Sequence, residues 1–155
     1  MIQRIQTLYL FLTTILPLLL IKIKTLKFIS GNGTEYYLRF KGLYSAGSDL
    51  TATLIKPAWI IAVLIVGTSL TSLLTIFLFR KRKLQISLCV IGLVLSAGHI
   101  VAIVFYYSQL IRVYNAVFIP VIGVFIPVLV VILFLLAWRG IKKDDDLIKS
   151  YERLR

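Results

Sequence analysis

His99 is the one histidine of the chain, and it lies deep in an uncharged apolar run. The one cysteine, Cys89, precedes it by ten residues on the same run. On a helix of 3.6 residues per turn that separation is nearly three turns, so thiol and imidazole cannot form a nucleophile–base dyad. Ser87 and Ser108 have no base beside them in sequence. There is no HExxH, no phosphate-cradling glycine loop and no pair of carboxylates within an apolar run. The residues therefore point to a protein that is not an enzyme and that needs no cofactor or metal.

What remains is polar chemistry in apolar surroundings. An ionisable side chain inside an apolar span is a candidate proton relay, ligand or gate. The competing reading is a neutral imidazole that is hydrogen-bonded to a neighbouring helix. Counted from the basic turn at 80–83, His99 stands level with Leu64 to Gly67, which makes Thr68 its expected partner. Gly67, Thr71 and Thr75 recur every four residues, as do Gly92 and Ser96, and small residues at that spacing let helix backbones approach closely. These stripes are expected to mark where the second and third spans meet.

The second constellation is charged. Arg80, Lys81, Arg82 and Lys83 form an uninterrupted basic turn, and Lys142, Lys143, Tyr151, Arg153 and Arg155 lie in a tail charged in both signs. Together they are the expected contact surface for a partner protein or for lipid. Asp144, Asp145 and Asp146 could hold a divalent cation only with the spacing of a defined loop, which they lack. They read better as negative charge at the start of a tail helix. The net charge of +12 does not imply nucleic acid, because the basic residues cluster at the ends of apolar runs, where they meet headgroups.

The elements that position these residues follow from hydropathy. Of 155 residues, 59% are hydrophobic, with a mean hydropathy of +0.95, more than a water-soluble core of this size can enclose. Four apolar stretches, at about 5–23, 57–79, 84–107 and 116–138, are each long enough to cross a bilayer. The second begins at Pro57, a favoured first helical residue, and ends abruptly at Arg80. Pro120 and Pro127 lie within the fourth and are expected to bend it or break it locally. A cleaved leader is not expected, since no small-residue site follows the first run.

Residues 24–56 form a loop between the first two spans. The turn signal Gly31-Asn32-Gly33 separates Leu26–Ile29 from the aromatic run Tyr36–Phe40, which reads as a β-hairpin or meander. Asn32-Gly33-Thr34 also fits a glycosylation sequon, although the turn alone explains it. In the tail, 139–155, Leu147, Tyr151 and Leu154 recur at helical spacing, and Asp145 is paired with Lys149, so a short amphipathic surface helix is expected. The fold class is thus all-α membrane, a single domain of four spans with a small external sheet.

Four spans place both termini on one side. That side carries eleven basic residues and the other seven, so the positive-inside rule puts the termini in the cytoplasm.

Three stretches carry a family resemblance: the opening MIQRIQTLYL, the central RKRKLQI followed by Leu88-Cys89, and the closing AWRGIKKD with its RLR end. The chain resembles an uncharacterised family of small four-span bacterial inner-membrane proteins, defined as a domain of unknown function. The resemblance covers the whole chain and implies four helices, cytoplasmic termini and no assigned activity. All three stretches fall on the expected cytoplasmic face. The function expected is that of an accessory or scaffold subunit of a larger membrane assembly, with lipid and a membrane protein as partners. The alternatives are a small transporter or channel gated by His99, or a binder of anionic lipid.

Overall fold

The computed structural model describes residues 3–31, 33–46, 52–79 and 81–153. Four helices form the body: α1 (Gln3–Leu19), α2 (Trp59–Phe77), α3 (Arg82–Tyr114) and α4 (Phe125–Arg153). They pack in a ring, α1 against α2, α2 against α3, α3 against α4 and α4 back against α1. Between α1 and α2 run β1 (Leu26–Ile29), β2 (Glu35–Arg39), β3 (Gly42–Ala46) and β4 (Ala52–Pro57), and β5 (Val117–Ile119) follows α3. The five strands make one antiparallel sheet in the order β4-β3-β2-β1-β5.

The strands form where the alternation is clearest. Leu26 and Phe28 of β1 are buried, while Lys27 and Ile29 between them are half-exposed, as a pleat with one covered face requires. Leu38 and Leu43 from β2 and β3 join the same apolar core, along with Ile61, Leu110 and Ala116 from the helical body. The sheet is thereby fastened across the end of the bundle. Phe28, Tyr107 and Phe118 form an aromatic triangle with centroids 5.3 to 5.5 Å apart, joining β1, α3 and β5. Tyr36 packs on Tyr114 at 4.4 Å.

Inside the bundle, buried serines and threonines stand among apolar residues, and the outward face is apolar. On α2 the buried positions are Ile61, Ile65, Thr68, Ser69, Ser72 and Thr75. Its outward face is Ile60, Val63, Val66, Leu70 and Leu73, between 40% and 66% exposed. The buried hydroxyls bond mainly to their own helix: Ser69 donates to the Ile65 carbonyl at 3.0 Å and Thr75 to Thr71 at 2.7 Å. Ser72 of α2 also crosses to α1. The Thr13 and Ser72 hydroxyl oxygens stand 2.5 Å apart, and Ser72 also reaches the Leu10 carbonyl at 2.6 Å. By length and composition, α2, α3 and the segment Ile122–Ile148 are each able to cross a membrane, and α1 is a shorter apolar helix.

Several boundaries differ from the sequence expectation. Pro57 ends β4 instead of opening a helix, and α2 starts at Trp59 after Ala58. Helix α3 runs on to Tyr114, about 50 Å at 1.5 Å per residue, because its last turns pack under the sheet rather than stopping at an interface. It ends at Asn115, whose left-handed backbone (φ 45°) caps it with a bond back to Ile111. The fourth span does not begin at Ala116. Val117–Ile119 pairs with β1, Pro120 follows it, a 3₁₀ turn occupies Ile122–Val124, and α4 starts at Phe125. Pro127 therefore sits in the first turn of α4, where its missing N–H costs nothing, and does not bend it. The tail is no separate surface helix: α4 continues without a break from Phe125 to Arg153. The three aspartates consequently lie inside a helix and not at its start.

The turn expected around Gly31–Gly33 is present, with Gly33 at φ 75°. Asn32, and with it the sequon, lies outside the described residues.

Candidate functional site

The end of the bundle opposite the sheet gathers the start of α1, the α2–α3 turn and the C-terminal half of α4. Their meeting point is Asp144. Its Oδ2 accepts a hydrogen bond from Gln6 Nε2 of α1 at 2.9 Å, and its backbone carbonyl accepts one from Arg82 Nη1 of α3 at 3.0 Å. The amide of Gln85, one turn further along α3, is buried and donates to the Thr75 carbonyl of α2 at 3.0 Å. Three side chains thus tie all four helices together at this end.

Local sequence explains the placement. Gln6 and Gln85 each stand about one turn inside an apolar helix, so burial obliges their amides to find partners. Gly140 makes room: a Cβ there would lie 2.8 Å from Gln6 Cγ. With no side chain at 140, Gln6 reaches across α4 to Asp144, one turn on.

A cavity of about 380 Å³ opens between these residues. Gln6, Arg82, Gln85 and Asp144 supply its polar wall. Leu10 and Ile141, about one turn deeper than Gln6 and Asp144, and Ile76 and Phe79 at the α2–α3 turn supply the apolar part. The charges are held by neutral groups, the guanidinium by a carbonyl and the carboxylate by an amide, so each keeps capacity for a ligand of opposite sign.

The residues expected from sequence are divided. Lys81 and Lys83 are exposed at this end, and Arg82 is half-buried in the cavity wall. Lys142 and Lys143 project from α4 nearby, Lys142 Nζ lying 5.0 Å above the Trp138 ring. The basic turn and the tail are therefore adjacent. Arg80, Arg155 and the side chains of Lys149, Tyr151 and Arg153 lie outside the described residues. Gln6, Gln85 and Asp144 were not singled out as site residues. Their signal was present, because both glutamines are polar residues set into apolar runs.

His99 and Thr68 come together but do not bond. Both line one narrow space with Ser96, Pro17 and Pro127. Thr68 Oγ1 donates instead to its own helix, to the Leu64 carbonyl at 2.6 Å. His99 is 3% exposed, and its Nε2 has no hydrogen-bond partner among the described residues. The space beside it has no volume for a water molecule. The small-residue stripes also divide. Gly67 faces Leu95 of α3, whereas Gly92 faces α4, where a Cβ would lie 2.5 Å from the Phe134 ring.

The family model of a domain of unknown function, DUF4293, matches residues 2–154. The chain belongs to the DUF4293 family. None of the curated proteins and none of the solved structures compared with it matches. The match takes in all four helices, the sheet and the Gln6–Arg82–Asp144 meeting point, so the cavity lies inside the DUF4293 domain.

Proposed function

We propose that this DUF4293 chain is an integral protein of the bacterial inner membrane with both termini in the cytoplasm. All four helices cross the bilayer, α1 as the shortest span, and the sheet lies on the outer side. The role is non-catalytic: an accessory or scaffold subunit of a larger membrane assembly. The outward faces of α2 and α3 support the bilayer, because Val63, Val94, Val101 and Phe105 are exposed while Thr68, Ser72, Ser96 and His99 are buried. In water that distribution would cost stability; in lipid it is the expected one.

The observation that carries the scaffold reading is the convergence on Asp144. It joins the N-terminal helix, the basic turn and the C-terminal extension of α4 into one face, with Lys81, Lys83, Lys142 and Lys143 exposed around it. A rigid basic face at the headgroup level suits an acidic surface of a neighbouring membrane protein.

Gentle affinity purification from native membranes tests this. The chain is expected to bring down a stoichiometric membrane protein, and replacing all four lysines by glutamine is expected to release it. Co-purification that is unchanged by those replacements would remove this face as the contact. The absence of any stoichiometric protein would remove the scaffold role.

A further inference from the structure

We infer that the cavity between Gln6, Arg82, Gln85 and Asp144 binds the phosphoethanolamine headgroup of a phospholipid. The inference rests on the bilayer placement proposed above and names a ligand for the same end of the bundle.

The lining is graded. On α1 and α4, Leu10 and Ile141 lie about one turn deeper in the bundle than Gln6 and Asp144, while Ile76 and Phe79 flank the α2–α3 turn beside Arg82. A ligand that fills the cavity must be polar at one end and apolar at the other, which describes a lipid entering at headgroup depth. The volume, about 380 Å³, lies at the lower end of the range of about 300–1,000 Å³ found for small-molecule sites.

The charges choose the headgroup. One guanidinium and one carboxylate face the same space without pairing with each other: Arg82 donates to a backbone carbonyl and Asp144 accepts from an amide. A guanidinium is a preferred partner for a phosphate. A carboxylate with one oxygen bonded to Gln6 still has lone pairs for an N–H donor. A purely anionic headgroup would satisfy Arg82 and be repelled by Asp144. A phosphocholine would satisfy Arg82 but bring no N–H to Asp144. Phosphoethanolamine satisfies both, with its phosphate on Arg82 and its ammonium on Asp144, and the buried Gln6 and Gln85 amides can add donors or acceptors to either.

The test is the full-length chain in nanodiscs of equal phosphatidylethanolamine, phosphatidylglycerol and phosphatidylcholine, with retained lipid identified by native mass spectrometry. Phosphatidylethanolamine is expected to be enriched at least about fivefold over each of the others, a difference of about 1 kcal/mol. Arg82→Gln should abolish the enrichment. Asp144→Asn should move it towards phosphatidylglycerol, since the repulsion is gone. Lys41→Gln, a charge loss at the sheet end of the bundle, should leave it intact. Equal retention of the three lipids by the unaltered chain would overturn the inference, as would enrichment of phosphatidylglycerol, whatever the variants do. Excess soluble phosphoethanolamine should not displace the lipid; full displacement would overturn its lipid identity. A chain that alkaline carbonate strips from membranes would remove the bilayer placement itself. A chain that stays in the membrane without headgroup preference removes this inference alone.

Discussion

At the residue scale, the sheet offers one side chain whose charge state can be followed. Glu35 lies diagonally across from Lys27 on the β1–β2 pair and meets its ammonium at 2.9 Å, with Lys24 at 3.8 Å. The hydrogen bond from Lys27, reinforced by the positive charges of Lys27 and Lys24, holds its carboxyl below its ordinary value of 4.5. A carboxylate held low contributes stability above its unfolded value and loses it as pH falls through the folded one. The unfolding temperature should therefore fall more steeply for the native chain than for Glu35→Gln when pH is lowered from about 6 to about 3. Identical slopes would show that the pair does not survive in solution. His99 calls for the opposite expectation. Its buried Nε2 has no partner among the described residues, and an unpaired buried group costs about 1–3 kcal/mol. His99→Leu should therefore keep or raise the unfolding temperature in detergent, and a marked fall would mean that the imidazole is bonded. The presence of His99 as a lone polar residue was legible from sequence, but the direction of the Thr68 hydroxyl was not. A threonine on a helix can bond either its own backbone or a neighbour, and residue identity does not decide which.

At the scale of elements, two contacts carry the packing. The Thr13–Ser72 hydroxyl pair links α1 and α2, beside the bond from Ser72 to the Leu10 carbonyl. A double-mutant cycle with Thr13→Val and Ser72→Ala should return a coupling of about 0.6 kcal/mol, the average for such bonds in a bilayer. Zero coupling would show that each hydroxyl is satisfied by Leu10 alone. Between α3 and α4, the Phe134 ring fills the space that Gly92 leaves open. Gly92→Leu should lower stability by about 1–3 kcal/mol, and thermal unfolding in detergent measures it. Full stability would mean that the ring can move aside. The α2 and α3 spans and the β1–β2 turn could be read in advance because hydropathy and turn residues are local signals. The continuation of α3 to Tyr114, the unbroken α4 and β5 could not. Each depends on a partner distant in sequence: β1 captures Val117–Ile119, and Gln6 captures the tail at Asp144. Pro120 marked an interruption correctly but was assigned to the interior of a helix, because a proline between a strand and a 3₁₀ turn reads the same in sequence as a kink.

At the scale of the whole molecule, the four helices share one apolar core that encloses a few buried hydroxyls and His99, and present apolar residues outward, with a sheet built from both connecting segments closing one end. The other end gathers the basic turn, the α1 start and the α4 extension around one aspartate. That division was foreseeable in outline, since the charge runs and the strand-like run fall between different spans. The meeting at Asp144 was not, because a triplet of aspartates does not say which one faces inward. The account requires the two ends to lie on opposite sides of a membrane. Cysteine accessibility in intact cells tests this most directly, with Cys89→Ser as background, Thr53→Cys in exposed β4 and Lys83→Cys beside the cavity. A membrane-impermeant maleimide should label Thr53→Cys in intact cells and Lys83→Cys only after permeabilisation. Labelling of both in intact cells, or the reverse pattern, would contradict the account.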